Sequence, residues 1–419
     1  MTLVLRAALG ALAAGLAFSV PAVPARAQAF ETPPTLAAAE AAPARLLSAP
    51  GLRVAPQVPT NGITTEFTIQ SDAGTFTALG VQTLALRESE IPAIVQLDQS
   101  SKAGTFLEAA GSTAVRPLES AAQMISSPVE TVQGLPGGLE RFFDRVSAGA
   151  QAIATAATNT NTDVSARGEQ VATMSGAAAA NALGYNLELR QLAKQLGVDP
   201  YTSNPVLAKK LHEFAKVAFA AHVATNTLIS VAVPVSIAIT GTNVTRDLVY
   251  DTPSGDLLAR NASALAAMGV GDDAVLALQQ SPAFTLSLQT ELVDGLQRLS
   301  GATGKPDVVA LAATLRSADQ ALFLVRALGM LGRYQREVAP VTGLTAVRIV
   351  AATDMNGALV LPAPVDYVSW TERVAGFAER PDLAAPQRSV WISGRMTPRA
   401  KAGFEALGWT VRERVSDVP

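Results

Sequence analysis

Two histidines, His212 and His222, are the only imidazoles in 419 residues, and there is no cysteine. On one helix they stand ten residues apart, roughly 15 Å of rise, so they cannot share a metal through that helix. His212 lies between Lys209 and Lys216 on a polar face and reads as a solvated side chain. His222 falls in an uncharged run, where it is either a satisfied core histidine or a buried proton carrier or ligand. Ser393, Arg395 and Arg399 form a second candidate group. Ser393-Gly394 follows an expected strand and precedes a capped helix, where backbone N–H groups and two guanidiniums could hold an anion. The ordinary alternative is a strand-to-helix turn. Gly301-Ala302-Thr303-Gly304-Lys305 imitates the end of a phosphate-binding loop. Its spacing is too short, a proline follows the lysine, and a helix precedes it. Asp354, ahead of Asn356-Gly357, reads as a turn residue. Neither a G-x-S-x-G elbow nor an H-E-x-x-H pair is present. No catalytic residue, cofactor site or metal site is assigned. His222, Ser393, Arg395 and Arg399 remain the candidates.

The elements that would carry these residues follow from composition and periodicity. Hydrophobic residues make up 49% of the chain and charged ones 16%. That suffices for a core, with much of it alanine, and favours close-packed helices. A net charge of −3 gives no electrostatic case for nucleic acid. Arg6, an apolar run from Ala7 to Val20 and Ala25-Arg26-Ala27 make a secretory leader with cleavage before Gln28. Cleavage would remove Arg6 and Arg26 and leave the mature chain more acidic. A periplasmic or secreted location follows. The Pro- and Ala-rich residues 28–61 read as a disordered linker.

Residues 62–147 open with alternation. Ile63, Thr65, Phe67 and Ile69 face one way, Ser71-Asp72-Ala73-Gly74 turns, and Thr75 to Leu79 returns as a hairpin. A helix follows from Val81, with Leu84, Ile91, Ile94 and Leu97 on one face and Pro92 as a kink. Ser127-Pro128-Val129-Glu130 is a capping box. Residues 148–176 are low in complexity and read as a linker.

A helical domain spans 177–340. Leu183, Leu187 and Leu192 mark its first helix, and Gly197 stops it. Asp199-Pro200 turns, and Asn204-Pro205 caps a helix whose apolar face is Leu207, Leu211, Phe214 and Ala218. The apolar segment 217–240 suits a buried helix broken near Pro234, a membrane insertion or a strand. Helices continue with starts at Ser281-Pro282 and Lys305-Pro306, and one long helix runs from about Asp307 to Glu337. The last part, 341–419, reads β-β-α-β-α-β. It has a strand at Thr345 to Ala352, a turn at Asp354 to Gly357, and a helix from Asp366 to Phe377. A buried strand follows at Ser389 to Ser393, then a helix capped by Thr397-Pro398, and a last strand from Trp409. The fold class is therefore α+β, mainly α: an N-terminal hairpin with helices, a central helical bundle and a small C-terminal α/β domain.

Three stretches, SSPVETVQGLPGGLERFF, LGVDPYTSNPVLAKKL and WISGRMTPRAKAGFEALGWTV, resemble an exported bacterial cell-envelope family to which no activity is attached. The resemblance runs from Ser126 to Val411. It implies an envelope location and a shared multi-part architecture, and carries over no functional residue. The expectation is a non-enzymatic binding or scaffold protein acting at a membrane surface or on an envelope protein partner. The alternatives are a hydrolase-type enzyme with a site at the C-terminal α/β domain, and a protein inserted in the membrane through 217–240.

Overall fold

The computed structural model describes residues 30–103, 176–225 and 243–415, with side chains at 30–100, 184–219 and 245–415. The leader, the capping box at 127–130 and most of the apolar segment 217–240 lie outside the described residues. No helix among those described is long and apolar enough to cross a membrane. The chain is α+β and mainly α, with 53% helix against 20% strand among the described residues.

Residues 28–61 do not behave as a linker where they are described. From Thr35 they form β1 (Thr35–Ala37), a helical turn α1 (Ala38–Ala41), and strands β2 (Ser48–Ala49), β3 (Leu52–Val54) and β4 (Gln57–Pro59). Leu36, Leu46, Leu52, Val54 and Val58 are buried, so this segment supplies core despite its prolines. The expected hairpin is β5 (Glu66–Ser71) and β6 (Gly74–Leu79), and β2-β3-β5-β6 is one antiparallel sheet. Phe67 and Ile69 point inward, as the period of two requires. They pack on α2 (Gly80–Ala103), which runs through Pro92 and buries Leu84, Ile91, Ile94 and Leu97.

Helices α3 (Gly176–Leu196) and α4 (Pro205–Thr225) pack on each other, and α4 packs on α2. Leu187 points outward, contrary to the expected face, and Tyr185, Leu189, Leu192 and Leu196 fill the interface. The turn signals between the two helices hold. Gly197 takes a φ of 68°, and the Asn204 side chain accepts from Val206 N and Leu207 N at the start of α4.

Next come α5 (Asn243–Asp251), α6 (Ser254–Ala267), α7 (Asp272–Gln279), α8 (Leu286–Arg298), α9 (Lys305–Thr314) and α10 (Ala318–Glu337). Ser281-Pro282 lies in the connection before α8, whose cap is Thr285. The expected long helix from Asp307 is two helices. Ser317 is extended and its hydroxyl accepts from Gln320 N, which starts α10 afresh.

The C-terminal sheet has the order β13 (Trp409–Arg412), β11 (Arg388–Ile392), β9 (Leu359–Ala363), β8 (Val350–Asp354) and β7 (Val341–Ala346). The stretch expected as one strand is a hairpin of β7 (Val341–Ala346) and β8 (Val350–Asp354), turned at Arg348 with φ 70°. Strand β9 (Leu359–Ala363) returns antiparallel to β8. A short β10 (Tyr367–Val368) and α11 (Glu372–Ala378) lead to β11 (Arg388–Ile392), parallel to β9. Helix α11 starts at Thr371, later than expected, because Asp366 is engaged elsewhere. Then follow β12 (Arg395–Met396), α12 (Pro398–Ala406) and β13 (Trp409–Arg412), which lies parallel to β11.

The sheet separates two cores. Val350, Ala352, Val360 and Trp391 pack against α8 and α10. Ala351, Leu361, Val390 and Ile392 face α11 and α12. Alternate residues of the same strands thus serve opposite layers, and the central strands are apolar on both faces.

Candidate functional site

The residues singled out in the sequence do not converge. His222 lies within α4, and its side chain is outside the described residues. His212 is not simply solvated. Its ring stacks on Tyr185, whose hydroxyl is hydrogen-bonded to Nδ1. The ring keeps an exposed edge, while burial and then the Lys216 charge lower its pKa. Ser393 donates to the Val365 carbonyl at 2.9 Å and so closes the crossover beside β10. The Arg395 guanidinium lies 5.1 Å from the Tyr367 ring and 4.0 Å from Glu40. Arg399 is half-buried in the first turn of α12. Near that helix start the chain supplies its own anion. Glu31 Oε2 accepts from Thr397 Oγ1 at 2.6 Å and from Trp370 N at 2.5 Å, while Thr397 caps α12 by accepting from Ala400 N.

Lys305 is buried, donates to the Ser300 carbonyl, and has its pKa lowered by burial. Thr303 adds a bridge to the edge of β7, and a Cβ on Gly304 would lie 2.1 Å from the Leu344 carbonyl oxygen. Gly304 thus serves a close backbone crossing. Asp354 accepts from Asn356 N, Ala358 N and the Tyr334 hydroxyl, and is a turn residue as expected.

Two cavities carry the polar groups that sequence reading did not assemble. The first holds about 40 Å³, room for roughly three waters, between α2, the α3–α4 turn, α5, α8 and α10. Glu90, Asp199, Glu291 and Asp319 line it. Glu90 is fully buried and satisfied: it accepts from Arg87 Nη1 at 2.5 Å, Asn204 Nδ2 at 2.9 Å and the Thr202 hydroxyl. Asp199 accepts from Ser287 Oγ at 2.6 Å and Tyr201 N at 2.8 Å. Asp199 and Glu291 keep some accessible surface, since both touch the cavity, yet protein surrounds them on most sides. Burial pushes Asp199 up to about 6, Glu90 adds to the shift, and the Ser287 and Tyr201 hydrogen bonds oppose it. Burial pushes Glu291 up to about 8, with Asp199 and Asp294 adding and Arg326 and Arg298 opposing. Among the described residues no cluster of histidine and carboxylate groups is set to hold a metal ion.

The second cavity is an open cleft of about 740 Å³, within the range of roughly 300–1,000 Å³ typical of small-molecule sites. It lies between the N-terminal hairpin with the start of α2, helix α10, and the carboxyl ends of β9 and β11. Leu361, Ala363, Val390 and Ile392 line it from the sheet, Phe323 from α10 and Phe377 from α11. The crevice outside the carboxyl ends of parallel strands is the usual ligand position in such sheets. Its charged groups are Asp319, Asp366, Arg348 and Arg373. Asp366 is consumed internally. Its Oδ2 accepts from Thr65 N and Oγ1, and its Oδ1 from Val81 N. Asp319 accepts from Thr83 Oγ1 at 3.2 Å. Thr83, Asp319 and Leu322 line both cavities and form the wall between them.

The cleft could not be read from the sequence, because its walls come from residues as distant as Asn61 and Phe404. A weak signal existed for the small cavity, in the polar run Asp199, Thr202, Ser203 and Asn204 at a well-marked turn. No protein-family model, curated protein or solved structure matches the chain.

Proposed function

We propose that the chain is an exported envelope protein that binds a small molecule with a large apolar part, held in the cleft beside β9 and β11. The observation that carries this reading is the cleft itself: about 740 Å³, walled by apolar side chains from three parts of the chain. Burying an apolar ligand there gains roughly 25 cal/mol per Å² removed from water. The leader-like first 27 residues support export. The test is a neutral solvatochromic probe, Nile red, titrated into purified protein and into an Ala363→Trp variant, which fills the cleft from the end of β9. Saturable one-to-one binding that the variant loses while keeping its melting temperature is expected. No saturable binding, or binding indifferent to Ala363→Trp, would overturn the reading.

A second reading, an acid–base hydrolase, is favoured by Asp199 and Glu291, whose raised pKa values suit proton transfer near neutrality. It comes second because their cavity has room for waters rather than for a substrate. Hydrolysis of any ester, amide or glycoside probe that is abolished by both Asp199→Asn and Glu291→Gln would move it to first place. Turnover unaffected by either would remove it.

A further inference from the structure

The cleft's charged groups differ in what they have left to offer. Both oxygens of Asp366 are taken by Thr65 and Val81, and Asp319 is hydrogen-bonded to Thr83. The two guanidiniums are exposed and under-used. Arg373 spends one N–H, from Nη2, on the Asn61 carbonyl at 3.2 Å. Arg348 has no hydrogen-bond or ion-pair partner among the described residues, yet it is exposed and belongs to the lining of the cleft.

The backbone at Arg348 is unusual. It holds φ 70° in a turn where glycine or asparagine would be at ease. The turn is closed by Val347 N donating to the Ile349 carbonyl at 2.8 Å, and fixed from outside by Arg380 Nη1 on the Val347 carbonyl at 3.2 Å. The fold imposes the left-handed backbone through Arg380 and the flanking strands, and it sets a long cationic side chain without a protein partner at the lip of an apolar cleft. A guanidinium presents a planar fork of donors that matches a carboxylate or phosphate.

Building on the binding reading above, we propose that the ligand is an anionic amphiphile. Its hydrocarbon body lies along Phe323, Ile349, Ala363 and Phe377, the apolar lining that keeps accessible surface, and its carboxylate or phosphate head meets Arg348 and Arg373. The charge pattern favours this occupant over a neutral or cationic one. Asp366 has both oxygens hydrogen-bonded within the protein and Asp319 is tied to Thr83, whereas both cations are exposed with donors to spare.

The test displaces Nile red with four twelve-carbon probes: lauric acid, dodecyl phosphate, methyl laurate and dodecyltrimethylammonium. The acid or the phosphate is expected to bind at least tenfold more tightly than the ester and the ammonium, and the tighter of the two names the head. Arg348→Asn suits the left-handed backbone and removes the charge; Arg373→Gln removes the second. Each should weaken the anionic probes about tenfold, roughly 1.4 kcal/mol, and leave the ester unchanged. Equal binding of all four probes, or variants that weaken ester and acid alike, would overturn the head-group assignment while the cleft reading stands. Failure of every probe and of Nile red would overturn both.

Discussion

Asp366 Oδ1 accepts from Val81 N at 3.0 Å, across 285 residues of sequence. The side chain of a residue between β9 and β10 thus caps the start of α2. Its other oxygen holds Thr65 by backbone and side chain, at 3.2 and 2.8 Å. Burial raises the Asp366 pKa, and the bonds from Val81 and Thr65 work against that rise. On the other side Gly394 lets two chain segments touch: a Cβ there would sit 1.8 Å from the Asp366 carbonyl oxygen.

Asp366→Ala should therefore cost about 2–4 kcal/mol, since it removes a cap and strands buried donors on Thr65 and Val81. Urea unfolding checks it. Asp366→Asn, which keeps an acceptor, should cost about half as much. Unchanged stability in both would mean that the cap is not formed in solution.

The network around Glu90 gives a second expectation. Arg87, Thr202 and Asn204 all donate to this one carboxylate, and it ties the α3–α4 turn to α2. Glu90→Ala leaves a half-buried guanidinium and two buried polar side chains without their acceptor and should cost about 3–5 kcal/mol. Glu90→Gln should cost less, roughly 1–3 kcal/mol, because two of the contacts can persist. A loss under about 0.5 kcal/mol for Glu90→Ala would show that the turn docks by its apolar contacts alone.

The pH dependence has a definite sign. Asp199 and Glu291 are raised in the folded chain, to about 6 and about 8, from ordinary values of 3.8 and 4.5. The folded state therefore holds their protons more tightly than the unfolded state does. Their contribution is neutral below pH 4 and turns unfavourable as pH rises from there through 6 and then 8. The melting temperature should fall between pH 5 and pH 8.5. Glu291→Gln should flatten the upper part of that slope, and Asp199→Asn the lower part. A profile that stays flat in the native chain, or a slope that both variants retain, would contradict the placement of these carboxyls.

Local chemistry made the caps and turns legible. Thr397-Pro398, Asn204-Pro205 and Asp354 through Gly357 act where their residue types require. Apolar spacing placed the inner faces of α2 and α4. What was hidden depended on partners far away. Arg348 turns a chain with no glycine, proline or asparagine to announce it, because Arg380 and the flanking strands impose the turn. Asp366 to Trp370 has helical spacing but is drawn off to Thr65, Val81 and β12. Residues 30–61 look like a linker until Leu36, Leu52 and Val58 are seen against Phe67 and Ile69. Ser393 and Arg395 could be placed but not paired. The cleft that concerns function is a product of topology, and no window of sequence contains it.

Glu31 accepts a hydrogen bond from Thr397, 366 positions further on, and Thr65 bonds Asp366 across 301. These contacts cannot begin to form until the last sixth of the chain exists. The N-terminal sheet has a core of its own from nearby residues, but its bonds to the C-terminal part are missing throughout synthesis, and closing so long a loop before any contact rewards it slows folding. The same bonds that finish the fold therefore set its clock. A chain shortened to end before residue 366 should leave its N-terminal strands more accessible to protease than the full chain does, however long it is given to fold.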